Sequence, residues 1–117
     1  MAERDPEELL PLSPAVFHVL LALADAERHG YGIIKEVEAR TDGRVRLGPG
    51  TLYGSIKRMI EEGLIEESDE RPDAALDDER RRYYRLTGFG RRVASAEAER
   101  LEGLVASARA KSLLSRA

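Results

Sequence analysis

The chain has 117 residues, of which 42% are hydrophobic and 35% charged, with a formal net charge of −3; that supports one small domain and leaves little room for two. There is no cysteine and there are only two histidines, His18 and His29, which excludes a disulfide scaffold, a thiol nucleophile, a cysteine zinc site and a histidine-rich metal site. The longest unbroken apolar run, residues 19–24, is far short of a membrane span, and a negative sign taken alone counts against nucleic acid. No charged-then-apolar leader opens the sequence, so a cytoplasmic protein without cofactor or metal is the expectation.

Residues 1–12 form an acidic segment, with Glu3, Asp5, Glu7 and Glu8 against Arg4. Ser13-Pro14 is a helix start, Ser as N-cap and Pro at the first helical position. Val16, Phe17, Leu20, Leu21, Leu23 and Ala24 give this helix a wide apolar face, and it is predicted to end near Arg28, with Gly30 as its breaker. His18 reads as a packing or surface histidine and His29 as an aid to the helix C-terminus. A second helix is predicted from Tyr31 to about Arg40, with Ile33, Ile34 and Val37 inward, followed by an Asp42-Gly43 turn. Gly48-Pro49-Gly50 opens a third helix, Pro49 to Glu62, and Gly63 suits its left-handed C-terminal position.

The period then changes. Residues 64–67 and the aromatic run Arg82-Tyr83-Tyr84-Arg85-Leu86 read as strands, joined across a long charged stretch from about Ser68 to Arg81. Thr87 looks like the N-cap of a final helix from Gly88 to about Leu114. Three helices followed by a hairpin is the layout of a winged helix-turn-helix, here residues 13–87, in a mainly α fold. Residues 88–117 add a helix too long for the small head to cover. Its stripe of Val93, Leu101, Leu104, Val105 and Ala108 is expected to pair with a second copy, folding back on the head being the alternative.

The charge is unevenly spread. Residues 1–12 and 66–79 hold 12 of the 22 acids and 2 of the 19 bases, so the other 91 residues carry 10 acids and 17 bases, a net of +7. Residues 43–60 contain Arg44, Arg46, Lys57 and Arg58 and no acid, and Arg80, Arg81, Arg82 and Arg85 cluster further on. At 100° per residue, Leu52, Ile56, Met59 and Ile60 of the third helix form the buried stripe, while Gly50, Gly54, Lys57 and Arg58 lie opposite, flanked by Thr51 and Tyr53. Lys57 and Arg58 suit phosphates or base edges, and Thr51 and Tyr53 could donate to phosphate. Tyr53 also reads as a cap on the core edge. Gly54 fits either close approach to a groove wall or neutral drift. The glycine spacing misses both the dinucleotide fingerprint and the P-loop, and no catalytic or metal-spaced set appears.

Four runs in series carry a resemblance: His29-Gly30-Tyr31-Gly32, Leu47-Gly48-Pro49-Gly50-Thr51-Leu52-Tyr53, Glu62-Gly63-Leu64-Ile65, and Arg81-Arg82-Tyr83-Tyr84-Arg85-Leu86-Thr87. Over residues 12–90 the chain resembles the PadR family of bacterial transcriptional regulators, in its short subgroup with one C-terminal helix. The resemblance implies a homodimeric, sequence-specific binder of double-stranded DNA with a palindromic operator. The protein would usually be a repressor, and where an effector exists a small molecule would release it. It also implies that Tyr53 and its helix neighbours approach DNA and that the wing arginines reach the backbone or minor groove. The chain has no Trp and no aromatic residue after Phe89, so a pocket that stacks flat ligands on tryptophan is not expected. The rival expectation from the residues is a protein-interaction module using the same helices without DNA, which the two acidic stretches favour.

Overall fold

The computed structural model describes residues 4–68 and 82–115. Helix α1 (Pro14–Ala22) starts as predicted, with Ser13 Oγ accepting from the Val16 N–H at 3.2 Å and Pro14 in the first turn. It stops at Ala22, well short of Arg28. The reason lies beyond the helix: Arg28 Nε turns back to donate to the Ala22 carbonyl at 2.7 Å, and Arg91 Nη2 donates to the Ala24 carbonyl at 3.1 Å. Side chains thereby satisfy carbonyls that another helical turn would otherwise have used.

The chain then forms a two-residue strand, β1 (Arg28–His29), which the sequence pattern does not announce. Gly30 opens α2 (Gly30–Arg40) instead of ending α1. His29 is therefore an N-cap and not an aid to a helix C-terminus: its Nδ1 accepts from the Gly32 N–H at 3.0 Å. Helix α2 closes with Asp42 at φ 53° and the Gly43 N–H on the Glu38 carbonyl at 2.8 Å.

Helix α3 (Pro49–Glu61) ends the same way. Gly63 at φ 78° reverses the chain, and the Leu64 N–H reaches the Met59 carbonyl at 2.9 Å. That turn delivers β2 (Ile65–Ser68), which pairs antiparallel with β3 (Tyr83–Leu86) from Ile65↔Leu86 to Ser68↔Tyr83. Strand β1 adds to the other side of β3, so the sheet has three strands in the order β1-β3-β2. Helix α4 (Gly88–Ala110) is capped by Thr87 Oγ1 on the Gly90 N–H. It ends before Leu114 because Ser112 adopts φ 64° and the Leu113 N–H bonds the Ala108 carbonyl at 2.9 Å.

One core draws on every helix. Val19, Leu20, Ile33, Val37, Leu52, Met59, Leu64, Ile65 and Val93 are essentially inaccessible to water, and Ile34, Leu86, Phe89 and Ala94 pack around them. Two expectations fail here. Ile60 is 40% exposed, because the neighbouring elements cover α3 only along Leu52, Ile56 and Met59. Val93 is fully buried in the head, so it is not available to a second chain.

Helix α4 leaves the head through a tight junction. Thr87 Oγ1 donates to the Gly63 carbonyl, with the Leu64 carbonyl at 3.2 Å, and the Thr87 N–H donates to Leu64 O at 3.1 Å. One turn on, Gly90 lies so close that a Cβ there would overlap the Leu64 carbonyl oxygen.

The N-terminal segment is tied to the same helix. A 3-10 turn (Pro6–Leu9) leads to Leu12, whose N–H donates to Glu97 Oε2 at 2.8 Å. Glu97 is 1% exposed and ion-paired with Arg100. The Arg100 hydrogen bond, helped by the Leu12 N–H and opposed by burial, holds the Glu97 carboxyl below the usual carboxylate range. A carboxyl depressed in this way stabilises the fold above the unfolded glutamate value of about 4.3 and loses that contribution as pH falls through its folded value. Glu97→Ala is expected to cost about 1–3 kcal/mol at neutral pH, since it removes the acceptor of the part-buried Leu12 N–H and the partner of Arg100. In urea unfolding followed by circular dichroism, the gap from wild type should narrow as the pH drops below about 4, by the part that depends on the ionised carboxyl.

Candidate nucleic-acid interface

Helix α3 presents an exposed outer face on the head. Its N-cap, Gly48, supplies no side-chain hydrogen bond, so the first N–H groups of the helix are left for an outside acceptor. Leu52, Ile56 and Met59 anchor the inner side. Thr51, Tyr53, Gly54, Lys57 and Arg58 are all exposed, and Tyr53 keeps 51% of its surface in water. Nothing lies within 4 Å of where a Cβ on Gly54 would stand, and the same holds for Gly48 and Gly50. Among the described residues, neither Lys57 nor Arg58 has an ion-pair partner within 4.0 Å. Arg44 and Arg46, in the loop before α3, are exposed as well, Arg46 resting 4.0 Å from Glu38.

Beside α3 lies an aromatic cluster that composition does not reveal. The His29 ring meets Tyr83 edge-on at 5.3 Å and stacks near Tyr31 at 6.4 Å between centroids. Tyr31 is 58% exposed, with the Lys35 ammonium 5.3 Å above its ring. Burial, seconded by the charge of Glu67, pushes the Tyr84 hydroxyl above its ordinary pKa, so it stays protonated.

The wing differs from α3. Arg82 pairs with Glu67 at 3.1 Å, and Arg85 pairs with Glu66 at 3.0 Å and Glu27 at 3.7 Å. The described wing cations are thus already partnered by acids across the sheet. Arg80 and Arg81, together with the rest of the charged tip, lie outside the described residues.

At the far end of the molecule, Leu101 and Ala108 are half-buried, while Leu104 and Val105 are 55% and 40% exposed. Leu113 and Leu114 continue the apolar run at 78% and 44% exposure. Among the described residues no group of three or more His, Asp or Glu side chains is placed to hold a metal, and no helix is long and apolar enough to cross a membrane.

Three helices, a three-stranded antiparallel sheet with one open hairpin, and an outward α3 define a winged helix-turn-helix head carrying a C-terminal helix. The family model of the transcriptional regulator PadR-like family matches residues 19–96, and the chain belongs to that family. The transcriptional regulator Rv3488 of Mycobacterium tuberculosis is 34% identical over 87 residues, covering 74% of this chain and 75% of that protein. An uncharacterized 37.1 kDa protein in transposon TN4556 of Streptomyces fradiae is 39% identical over 90 residues, 74% of this chain, and the chain spans only 24% of its length. In fold, the chain is similar to a PadR family transcription regulator from Clostridium difficile R20291, with a TM-score of 0.69 at 23% identity over 83% of this chain and 96% of that one. It is also similar to Bacillus subtilis PadR, solved in complex with operator DNA, with a TM-score of 0.59 at 20% identity over 74% of this chain and 47% of that one.

Proposed function

We propose that the chain is a sequence-specific DNA-binding regulator that acts as a homodimer and represses transcription. The observation that carries this is the outer face of α3: an uncapped N-terminus, Thr51, Tyr53 and Gly54, and two cations, Lys57 and Arg58, with no acid paired to them among the described residues. The family supports it, and the operator complex of the Bacillus subtilis relative is the arrangement by analogy.

In this reading residues 1–12 are an acidic N-terminal segment, residues 13–87 are the DNA-binding head, and residues 88–117 are the dimer arm. Arg58 takes a base edge or phosphate, Lys57 a phosphate as a point charge, and Thr51 with the free N–H groups a second phosphate. Arg80, Arg81 and Arg82 grip the flanking backbone, Arg82 after exchanging Glu67 for phosphate. Leu101, Leu104, Val105 and Ala108 pair with a second arm, so that two α3 helices enter successive major grooves about one helical turn apart. A small-molecule effector would release DNA by changing the spacing of the two heads through these helices.

Selection of bound fragments from random-sequence DNA by the purified full chain should return a palindrome; absence of any enriched site, or binding unaffected by salt, sinks the reading. Lys57→Ala and Arg58→Ala are each expected to weaken binding to that site. Where the lost contact is to phosphate, the slope of log K against log salt should fall by about 0.9 per variant. Leu104→Glu combined with Val105→Glu should shift the chain from dimer to monomer in sedimentation equilibrium, with its circular dichroism spectrum unchanged. Operator affinity should fall with it.

A further inference from the structure

Gly30 is buried at the first position of α2, yet its backbone has no need of glycine: it is helical, and its φ lies outside the left-handed region. What keeps a side chain out is a residue of another helix. A Cβ on Gly30 would overlap Tyr53 Oη and stand 2.8 Å from Cζ and 3.1 Å from Cε1 of the same ring. The phenol of Tyr53 thus rests its outer edge on the bare α-carbon of Gly30 while half of the residue faces water. Gly50 and Gly54 lie near it on α3, with nothing within 4 Å of where their Cβ atoms would be.

We propose that Gly30 is the positioning residue for Tyr53: by lacking a side chain it seats the phenol against the start of α2 and presents its hydroxyl to DNA in one orientation. This rests on Tyr53 being a DNA contact, as argued above. The benefit is preorganisation. A ring already held in its bound rotamer forfeits less freedom on binding than one swinging on the helix surface. The seat also couples the two helices of the motif, since the place of the Tyr53 hydroxyl depends on the register of α2 against α3.

The substitution Gly30→Ala separates this role from a plain structural one. The obstructing atoms are the far end of a flexible side chain, and alanine favours helix more than glycine does, so the chain is expected to fold with the ring displaced. The probe is the duplex selected by the wild-type full chain, measured by fluorescence anisotropy. Loss of an oriented hydrogen bond to a charged group is worth on the order of tenfold in affinity, and Gly30→Ala and Tyr53→Ala should each show a loss of that order. In the Tyr53→Ala background, Gly30→Ala should change affinity less than about twofold, the double-mutant signature of one shared contact. An equal loss in both backgrounds overturns the proposal.

The seat is also read without DNA. In tyrosine-labelled full chain, Gly30→Ala should move the ring resonances of Tyr53 furthest among the four tyrosines. A Tyr53 signal left in place overturns the seat itself, whereas a shifted signal with unaltered affinity for Tyr53→Ala overturns only the DNA contact. Should Gly30→Ala prevent folding, adding Tyr53→Ala is expected to restore it, and failure to do so overturns the proposal.

Discussion

The structure turns on the contact between Thr87-Gly90 and the turn at Gly63-Leu64. Four parts of the chain meet there: the end of α3, the start of β2, the end of β3 and the first turn of α4. Thr87 serves two needs with one hydroxyl, capping the Gly90 N–H and donating to a carbonyl at the turn. Gly90 lets the α4 backbone touch Leu64 directly. The open face of α3 therefore has a fixed relation to α4, because no flexible linker separates them. Leu64 is both the residue that closes α3 and the residue on which α4 rests, so a shift of α4 acts at once on the end of α3.

The second organising feature is the division of charge. A net charge of −3 describes the whole chain poorly, since the acids are concentrated at the N-terminus and along the wing. On the wing they sit opposite arginines and neutralise them in place: Glu66 and Glu67 lie on β2, Arg82 and Arg85 at and within β3. Such exposed pairs contribute little to stability, about 0–1 kcal/mol each, so their larger consequence is electrostatic. A cation already paired offers a phosphate less than an unpaired one. Among the described residues Lys57 and Arg58 have no such partner, which leaves two cations on α3 open to a phosphate.

Much of the fold was legible because local chemistry decided it. Ser13-Pro14, Gly63 and Thr87 each mark a helix boundary through a single hydrogen-bonding or backbone requirement, and each does so in the structure. The α3 stripe of Leu52, Ile56 and Met59 is equally plain from its period, which also adds Ile60, a residue the structure leaves exposed. What escaped were features set by residues distant in sequence. The end of α1 is marked by Arg28, which takes its last carbonyl, and by Arg91, which takes the Ala24 carbonyl just beyond it; β1 exists because β3 arrives to pair with it. The sequence pattern puts His29 at the end of α1, whereas α1 stops at Ala22 and the imidazole caps the start of α2. Glu97 carries no sign of burial in the sequence, where it is one acid among many on a charged helix; only the approach of Leu12 and Arg100 makes it a clasp. The seating of Tyr53 on Gly30 is of the same kind, a contact between two helices that neither helix's own pattern contains.

Helix α4 shows why one apolar stripe had to be divided. Read by period alone, Val93 and Leu101 to Ala108 form a single seam. In three dimensions the seam changes partner partway along: Val93 is fully inside the head, while Leu104 and Val105 stand open. The change falls at Glu97 and Arg100, where the N-terminal segment lies across the helix. Up to that point α4 packs into the head; beyond it the helix is an arm with apolar surface that the head leaves uncovered. In the proposed dimer a displacement of one arm against the other would be transmitted to the heads along a continuous helix, without a hinge to absorb it. Spacing of the two α3 helices would then be governed by how the arms pack, which places any control of that spacing beyond Arg100 and away from the DNA face.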